Sequence, residues 1–277
     1  MRLAFSRLLL TLAALLCLQG GLLLGGLAPA MAAGAEYSVA VLPFIPPSEI
    51  KRRWQPVLDQ INRDTGLRLH FRYYDDNQEF ERDLVQGRAD FAVMTPLQTW
   101  LLRQQYRPLL RNTQPLVGLV VVRNDSKIKQ LADLHERKVG LQEGENQPSS
   151  MLIRRALREQ KIEPDLQFMR SETNALRSVV LGKTDAAIAN NYVLRFLPLE
   201  IGRQLRVVYS ASEMPPPPFT ASQKLPAEDV AKVKAAVLAF RSSHPELLEA
   251  TLMPDVTEAD LERDYAAMAK LLAGEKP

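Results

Sequence analysis

At 277 residues, 46% hydrophobic and 24% charged, the chain has a globular composition and enough apolar side chains for a sizeable core. Its formal charge of +3 falls to about +1 without Arg2 and Arg7, which leaves 33 basic against 32 acidic residues and removes electrostatic support for a nucleic-acid partner. The single cysteine, Cys17, lies in the leader described next, so the rest of the chain has no disulfide, thiol nucleophile or cysteine metal site.

Arg2 and Arg7 precede an apolar run from Leu8 to Leu27, followed by Ala28-Pro29-Ala30 and Ala30-Met31-Ala32. Basic start, apolar middle and small-x-small exit are the order of a secretory signal peptide, expected over residues 1–32 with the mature chain starting near Ala33. The alternative is an uncleaved anchor, because about 20 apolar residues can span a bilayer. Either reading places the rest of the chain outside the inner membrane, in the periplasm.

Strand-like and helix-like runs then alternate. YSVAVLPF (37–44) precedes a helix from about 48 to 64, and LRLHFRYY (67–74) precedes a short helix over NQEFERDLVQ and the strand ADFAVMT (89–95). After PLVGLVVVRND (115–125) come KVGLQ (138–142), a helix opening at NQPSSM, LQFMRS (166–171), a helix over NALRSVVLG, and DAAIAN (185–190). Such alternation predicts parallel strands with helical crossovers, an α/β fold.

The two series share a signature. LVQGRADFAVMT (84–95) and VVLGKTDAAIAN (179–190) align without gaps, pairing Gly87 with Gly182, Asp90 with Asp185 and Thr95 with Asn190. Glycine ends a helix in the left-handed conformation, and the apolar strand that follows is buried on both faces. Ligands bind beyond the carboxyl ends of strands in open α/β sheets, which makes Thr95 and Asn190 corresponding site candidates in two halves. The expected organisation is leader 1–32, lobe 1 over 33–117, lobe 2 over 118–208 and a return to lobe 1 over 209–277. Crossings are expected near 116–122 and 205–221, and the part after about Met253 as peripheral helix.

Other clusters have simpler readings. Asp76 with Glu79 has capping-box spacing, so Asp75, Asp76 and Asn77 are expected to shape a helix start and not to hold a metal. His70, His135 and His244 lack any mutual spacing suited to metal or catalysis. With no nucleophile elbow, zinc motif or phosphate loop in the chain, neither an enzyme nor a cofactor is expected. In NQPSSM, Asn146, Ser149 and Ser150 either cap the helix or leave its first amides to an anionic ligand. Thr173 and Asn174 read as caps of the next helix, with Glu172 able to reach a ligand. Phe44 reads either as a cleft wall or as loop packing.

VAVLPF with its following helix, GRADFAVMTPLQTW, LVVVRNDSKIKQLADLHERKVGL and VVLGKTDAAIANN, in this order over about residues 37–245, resemble the periplasmic phosphonate-binding family. Those proteins are the substrate-binding components of phosphate, phosphite and phosphonate ABC transporters. The resemblance implies a bilobal type II periplasmic-binding-protein fold whose lobes close on a small oxyanion and deliver it to an inner-membrane permease. It also implies ligand contacts at the second-lobe helix start, hence Asn146, Gln147, Ser149 and Ser150. Thr95 and Gln98 in TPLQTW, Phe44, Glu172, Asn190 and Asn191 complete the expected set. Family-like histidine is missing from RSETNALRS, and the acidic position that suits an ammonium is neutral at Asn190 and Asn191, which leaves the particular oxyanion open. A monomer is expected, and the alternative function is a sensory receptor signalling to a membrane partner.

Overall fold

The computed structural model describes residues 34–74, 76–143, 147–251 and 253–273, with the backbone alone at 148 and 149. The leader, Asp75 and Asn146 lie outside them. In chain order the elements are β1 (Glu36–Val41), α1 (Pro47–Thr65), β2 (Arg68–Arg72), α2 (Asn77–Val85), β3 (Phe91–Val93), α3 (Pro96–Leu101), β4 (Tyr106–Asn112) and β5 (Leu116–Arg123). A 3-10 turn over Leu131–Leu134 leads to β6 (Lys138–Gln142), α4 (Pro148–Glu159), β7 (Asp165–Met169), α5 (Glu172–Val180), β8 (Ala186–Asn190), α6 (Asn191–Phe196), α7 (Leu199–Gly202) and β9 (Leu205–Met214). The chain ends with β10 (Pro218–Ser222), α8 (Ala227–Ser243), α9 (Pro245–Glu249), β11 (Val256–Glu258), α10 (Leu261–Tyr265) and α11 (Ala267–Leu272).

Two sheets form, ordered β2-β1-β3-β10-β4-β11 and β7-β6-β8-β5-β9. In each, the first three strands of one series are parallel and the next is antiparallel: β10, which follows the return crossing, in the first sheet, and β5, which directly follows the outward crossing, in the second. The chain passes to the second sheet between Asn112 and Leu116 and returns between Met214 and Pro218. Each sheet with its helices is one lobe.

The shared signature acts identically in both lobes. Gly87 and Gly182 take φ +63 and +68 after α2 and α5, a conformation glycine reaches without strain. Three residues later the aspartate accepts a strand amide: Asp90 from Ser38 N at 2.8 Å, Asp185 from Lys138 N at 2.9 Å. Each carboxylate thereby pins the start of its lobe's central parallel strand, β1 or β6. Beyond it, the buried runs Phe91–Val93 and Ala186–Ala189 end at Thr95 and Asn190, which begin α3 and α6.

Lobe 1 is packed around Phe91 and Phe219, stacked at 5.6 Å, with Tyr37 edge-on to Phe91 at 5.9 Å. The buried stripe Ile50, Trp54, Val57, Leu58 and Ile61 of α1 covers this sheet, as its helical spacing predicts. Lobe 2 buries Val120, Val139, Leu141, Ile153 and Ile188.

Two segments differ from their sequence reading. The part after Met253 is not peripheral: β11 pairs antiparallel with β4, Met268 is fully buried, and the buried Tyr265 hydroxyl donates to Pro216 O at 3.0 Å. The stretch 205–221 is not only a crossing, since it supplies the edge strand β9 and the interior strand β10. β10 starts at a proline, the one strand position where a missing N–H is tolerated best.

The C-terminal part also carries an acid-sensitive tie. Burial alone would raise the Asp264 pKa, but hydrogen bonds from Arg263, the Asp260 amide and Arg111 outweigh it and bring it down to about 2. A carboxylate held below its unfolded value stabilises the fold above about pH 4, and that stability is lost as pH falls towards 2. Asp264→Asn should therefore lower stability at pH 7 by about 2 kcal/mol and flatten the acid limb of a urea-denaturation series. An unchanged limb would show that Asp264 is not tied in this way.

Candidate functional site

The carboxyl ends of β1, β3, β6 and β8 and the start of α4 meet between the lobes. At the centre is a cavity of about 20 Å³, room for about one water molecule. Leu42, Phe44, Thr95 and Pro96 line it from lobe 1, and Gln147, Asn190, Tyr192 and Val193 from lobe 2. Leu116 and Pro217, beside the two crossings, close its sides.

Several expected site residues are here and already have internal partners. Thr95 is buried and forms a reciprocal capping box: its hydroxyl accepts from Gln98 N at 3.1 Å, and Gln98 Oε1 accepts from Thr95 N at 2.9 Å. Gln98 Nε2 donates to Glu81 Oε1 at 3.1 Å. Asn190 Oδ1 accepts from Tyr192 N and Val193 N at 2.9 and 3.0 Å, capping α6. Glu172, 1% exposed, accepts from both Asn190 N and Asn190 Nδ2 at 2.8 Å, so it orients the asparagine from behind. Phe44 is buried and packs on Phe196 of lobe 2 at 5.9 Å.

Asn191 is engaged elsewhere. Its Oδ1 accepts from Val117 N at 2.9 Å, and its Nδ2 donates to Pro115 O at 3.0 Å. Beside it the Tyr192 hydroxyl donates to Gln114 O at 2.5 Å and accepts from Asn112 Nδ2 at 3.0 Å. Burial pushes the Tyr192 pKa up to about 12, so this hydroxyl keeps its proton. Together the two side chains fasten α6 to the first crossing.

Other polar groups at these strand ends are buried without a partner among the described residues. They are Gln142 Nε2 at the end of β6, Gln147 Nε2 and Ser150 Oγ at the start of α4, and Thr173 Oγ1 at the start of α5. Leaving such a group unpaired costs about 1–3 kcal/mol, so four at one edge of one sheet is a concentration that folding alone does not favour. Gln142 and Thr173 differ from their sequence reading. Gln142 looks like an ordinary strand residue, and Thr173 reads as a cap, but Ser171 takes that role by accepting from Asn174 N at 3.2 Å. Ser149 falls in the first turn of α4, where backbone amides have no intrahelical acceptor. Asn146 lies outside the described residues.

These groups are neutral donors at strand ends and at a helix start. They can hold an oxyanion through N–H and O–H groups but offer no proton relay. The histidines lie apart: His70 is 3.4 Å from Glu36, His135 Nδ1 accepts from Glu163 N, and His244 is 3.2 Å from Glu246. Among the described residues no group of three or more His, Cys, Asp or Glu side chains could hold a metal, and no helix is long and apolar enough to cross a membrane.

Along the seam beside the centre runs an acidic cleft of about 770 Å³, lined by Asp76, Asn77 and Glu81 of lobe 1 and by Glu143 and Arg170 of lobe 2. Asp76 caps α2 by accepting from Glu79 N at 2.8 Å, as its spacing predicts. Asn77 Nδ2 donates to Glu81, but its buried Oδ1 has no described donor.

A family model described as the periplasmic substrate-binding protein of phosphonate ABC transporters matches residues 39–273. The chain belongs to this family. Solved structures share its fold. This phosphonate-family protein superposes with a TM-score of 0.76 on the binding-protein component of a phosphonate ABC transporter from Pseudomonas aeruginosa, at 16% identity over 86% of each chain. The TM-score is also 0.76 with a Prochlorococcus marinus protein in complex with methylphosphonate, at 12% identity over 86% of this chain and 97% of that one. A Xanthomonas citri protein bound to ATP gives 0.65 at 18% identity, over 87% and 97%. The two lobes are thus those of a bilobal type II periplasmic binding protein. Family members capture a small molecule and deliver it to a membrane permease, so the protein is a solute-binding component of an ABC transporter, and its family is one of transport proteins. These matches lend no support to a sensory role. No curated protein matches the sequence.

Proposed function

We propose that the protein, exported by its leader and acting as a monomer, traps one phosphonate-class oxyanion between its lobes. The amides opening α4, with Gln147, Ser149 and Ser150, are the principal donors, and Thr95 and Asn190 close on the ligand from the two strand ends. Asn146, where the chain enters α4, and Gln98 and Phe44 in lobe 1 complete the surroundings, whereas Asn191 holds the crossing. The observation that carries this reading is the set of buried, unpartnered donors Gln142, Gln147 and Ser150 along lobe 2, because an anion would satisfy several at once. A cavity of about 20 Å³ is too small for a phosphonate, so uptake requires the lobes to part and reclose.

The acidic cleft beside the centre adds selectivity. Its carboxylates and the unpartnered Asn77 carbonyl favour a ligand whose far end donates hydrogen bonds, so an aminoalkylphosphonate should bind more tightly than methylphosphonate. Calorimetric titration with methylphosphonate, an aminoalkylphosphonate, phosphite and phosphate tests the whole reading. Ser150→Ala should weaken the best ligand about fivefold to tenfold, the value of one ordinary hydrogen bond, without lowering the melting temperature. Binding that is unaffected by Ser150→Ala and by Gln147→Ala would remove the α4 start from the site.

A further inference from the structure

We propose that a second oxyanion site lies at the lobe seam, separate from the central cavity, and that it takes a polyvalent phosphate-type anion which bridges the lobes. The pocket, of about 310 Å³, is lined by Arg52 and Arg53 of α1 in lobe 1 and by Arg177 of α5 and Arg195 of α6 in lobe 2. Four guanidinium groups face a single carboxylate there, Glu49. Glu49 is taken up by α1 itself, accepting from Arg52 at 2.6 Å and lying 3.6 Å from Arg53. Arg195 donates only to a neutral amide, Gln114 Oε1 at 2.7 Å, and Arg177 pairs with no described side chain. Lobe 2 therefore brings against lobe 1 two cations without an ion-pair partner among the described residues, Arg195 also lining, with Arg53, the adjoining pocket that holds Glu249 and Asp255.

A built polar wall distinguishes this pocket from a merely basic surface. Thr173 is 6% exposed, lines the pocket, and its hydroxyl has no described partner. Arg53 is packed over the Phe196 ring of lobe 2 at 4.5 Å, and its buried Nε makes no hydrogen bond among the described residues, lying 3.6 Å from the Glu49 carboxylate that Arg52 already occupies. Both are donors, one from each lobe. Like charges meeting at a seam oppose closure, and an anion accepting from both sides reverses that repulsion. Guanidinium forks match the oxygen spacing of phosphate, which sets the ligand class.

Inorganic pyrophosphate titrated calorimetrically into the protein at low salt is the probe. The wild type should bind it, and Arg177→Ala combined with Arg195→Ala should weaken that binding about tenfold or more, since two charge-assisted pairs are lost. Thr173→Val, which alters no charge, should also weaken it, whereas Arg158→Ala, on an exposed arginine of α4, should not. Ser150→Ala, in the central site, should leave pyrophosphate binding unchanged, and the double arginine variant should keep the central ligand's affinity. No pyrophosphate binding by the wild type, equal binding by the double variant, or loss through Ser150→Ala in place of the arginine changes would overturn the proposal. Methylphosphonate titration of the wild type reports on the central site by itself, so failure of one site does not pass for failure of the other.

Discussion

Asp83→Ala should destabilise the protein by about 3 kcal/mol, the low end of what breaking a buried ion pair costs. Asp83 is 3% exposed in α2 and accepts from Arg72, from Arg88 (Nε at 2.8 Å) and from the Tyr74 hydroxyl at 3.2 Å. Burial by itself would raise its pKa, but hydrogen bonds from Arg88 and Arg72 outweigh that and hold it below the usual carboxylate value. The stability it contributes is therefore present at neutral pH and lost as pH falls below the ordinary carboxylate range. Removing it strands three donors at the junction of β2, α2 and the Gly87 turn. Arg72 and Arg88 are 39% and 48% exposed and recover some hydration, which keeps the cost from reaching the top of the range. Urea denaturation at pH 7 measures it, and a loss under about 1 kcal/mol would mean the network is worth no more than a surface pair.

Glu172→Ala should weaken binding of the best phosphonate by between about tenfold and about 100-fold, more than the loss of Ser150. Glu172 touches the strand end from within lobe 2, and its two hydrogen bonds to Asn190 fix both the backbone and the side-chain amide of that residue. Without the carboxylate, Asn190 N is buried and unpaired, and the side chain loses the restraint that aims it at the cavity. Glu172→Gln keeps one acceptor oxygen and should recover most of the affinity, which separates positioning from a charge effect on the ligand. Calorimetric titration alongside thermal melts decides the matter. Full affinity in a folded Glu172→Ala protein would mean that Asn190 either needs no support or takes no part.

Much of the architecture was legible because it depends on near neighbours. Gly87 and Gly182 mark the two left-handed helix ends, and the buried strands after them follow from composition alone. The Asp76 cap was visible as a spacing. The family match over residues 39–273 agrees with the resemblance seen in the same motifs. Less of the site was legible. Asn190 and Asn191 are adjacent and chemically alike, yet one caps a helix at the cavity and the other is tied to Pro115 and Val117, residues more than 70 positions away. Thr173 looked like a cap because caps are local, but Ser171 was two positions nearer the strand and took the amide first.

The parallel α/β character, the twin halves and their glycine-to-strand junctions follow from local sequence, since helix ends, strand periodicity and turn chemistry are set by residues a few positions apart. The pairing of Tyr106–Asn112 with Val256–Glu258, the burial of Tyr265 and the identity of the buried donors that lack partners emerge from long-range packing. Those outcomes depend on contacts between segments far apart in the chain, where pairing and burial compete across the whole fold and no local pattern records which contact wins.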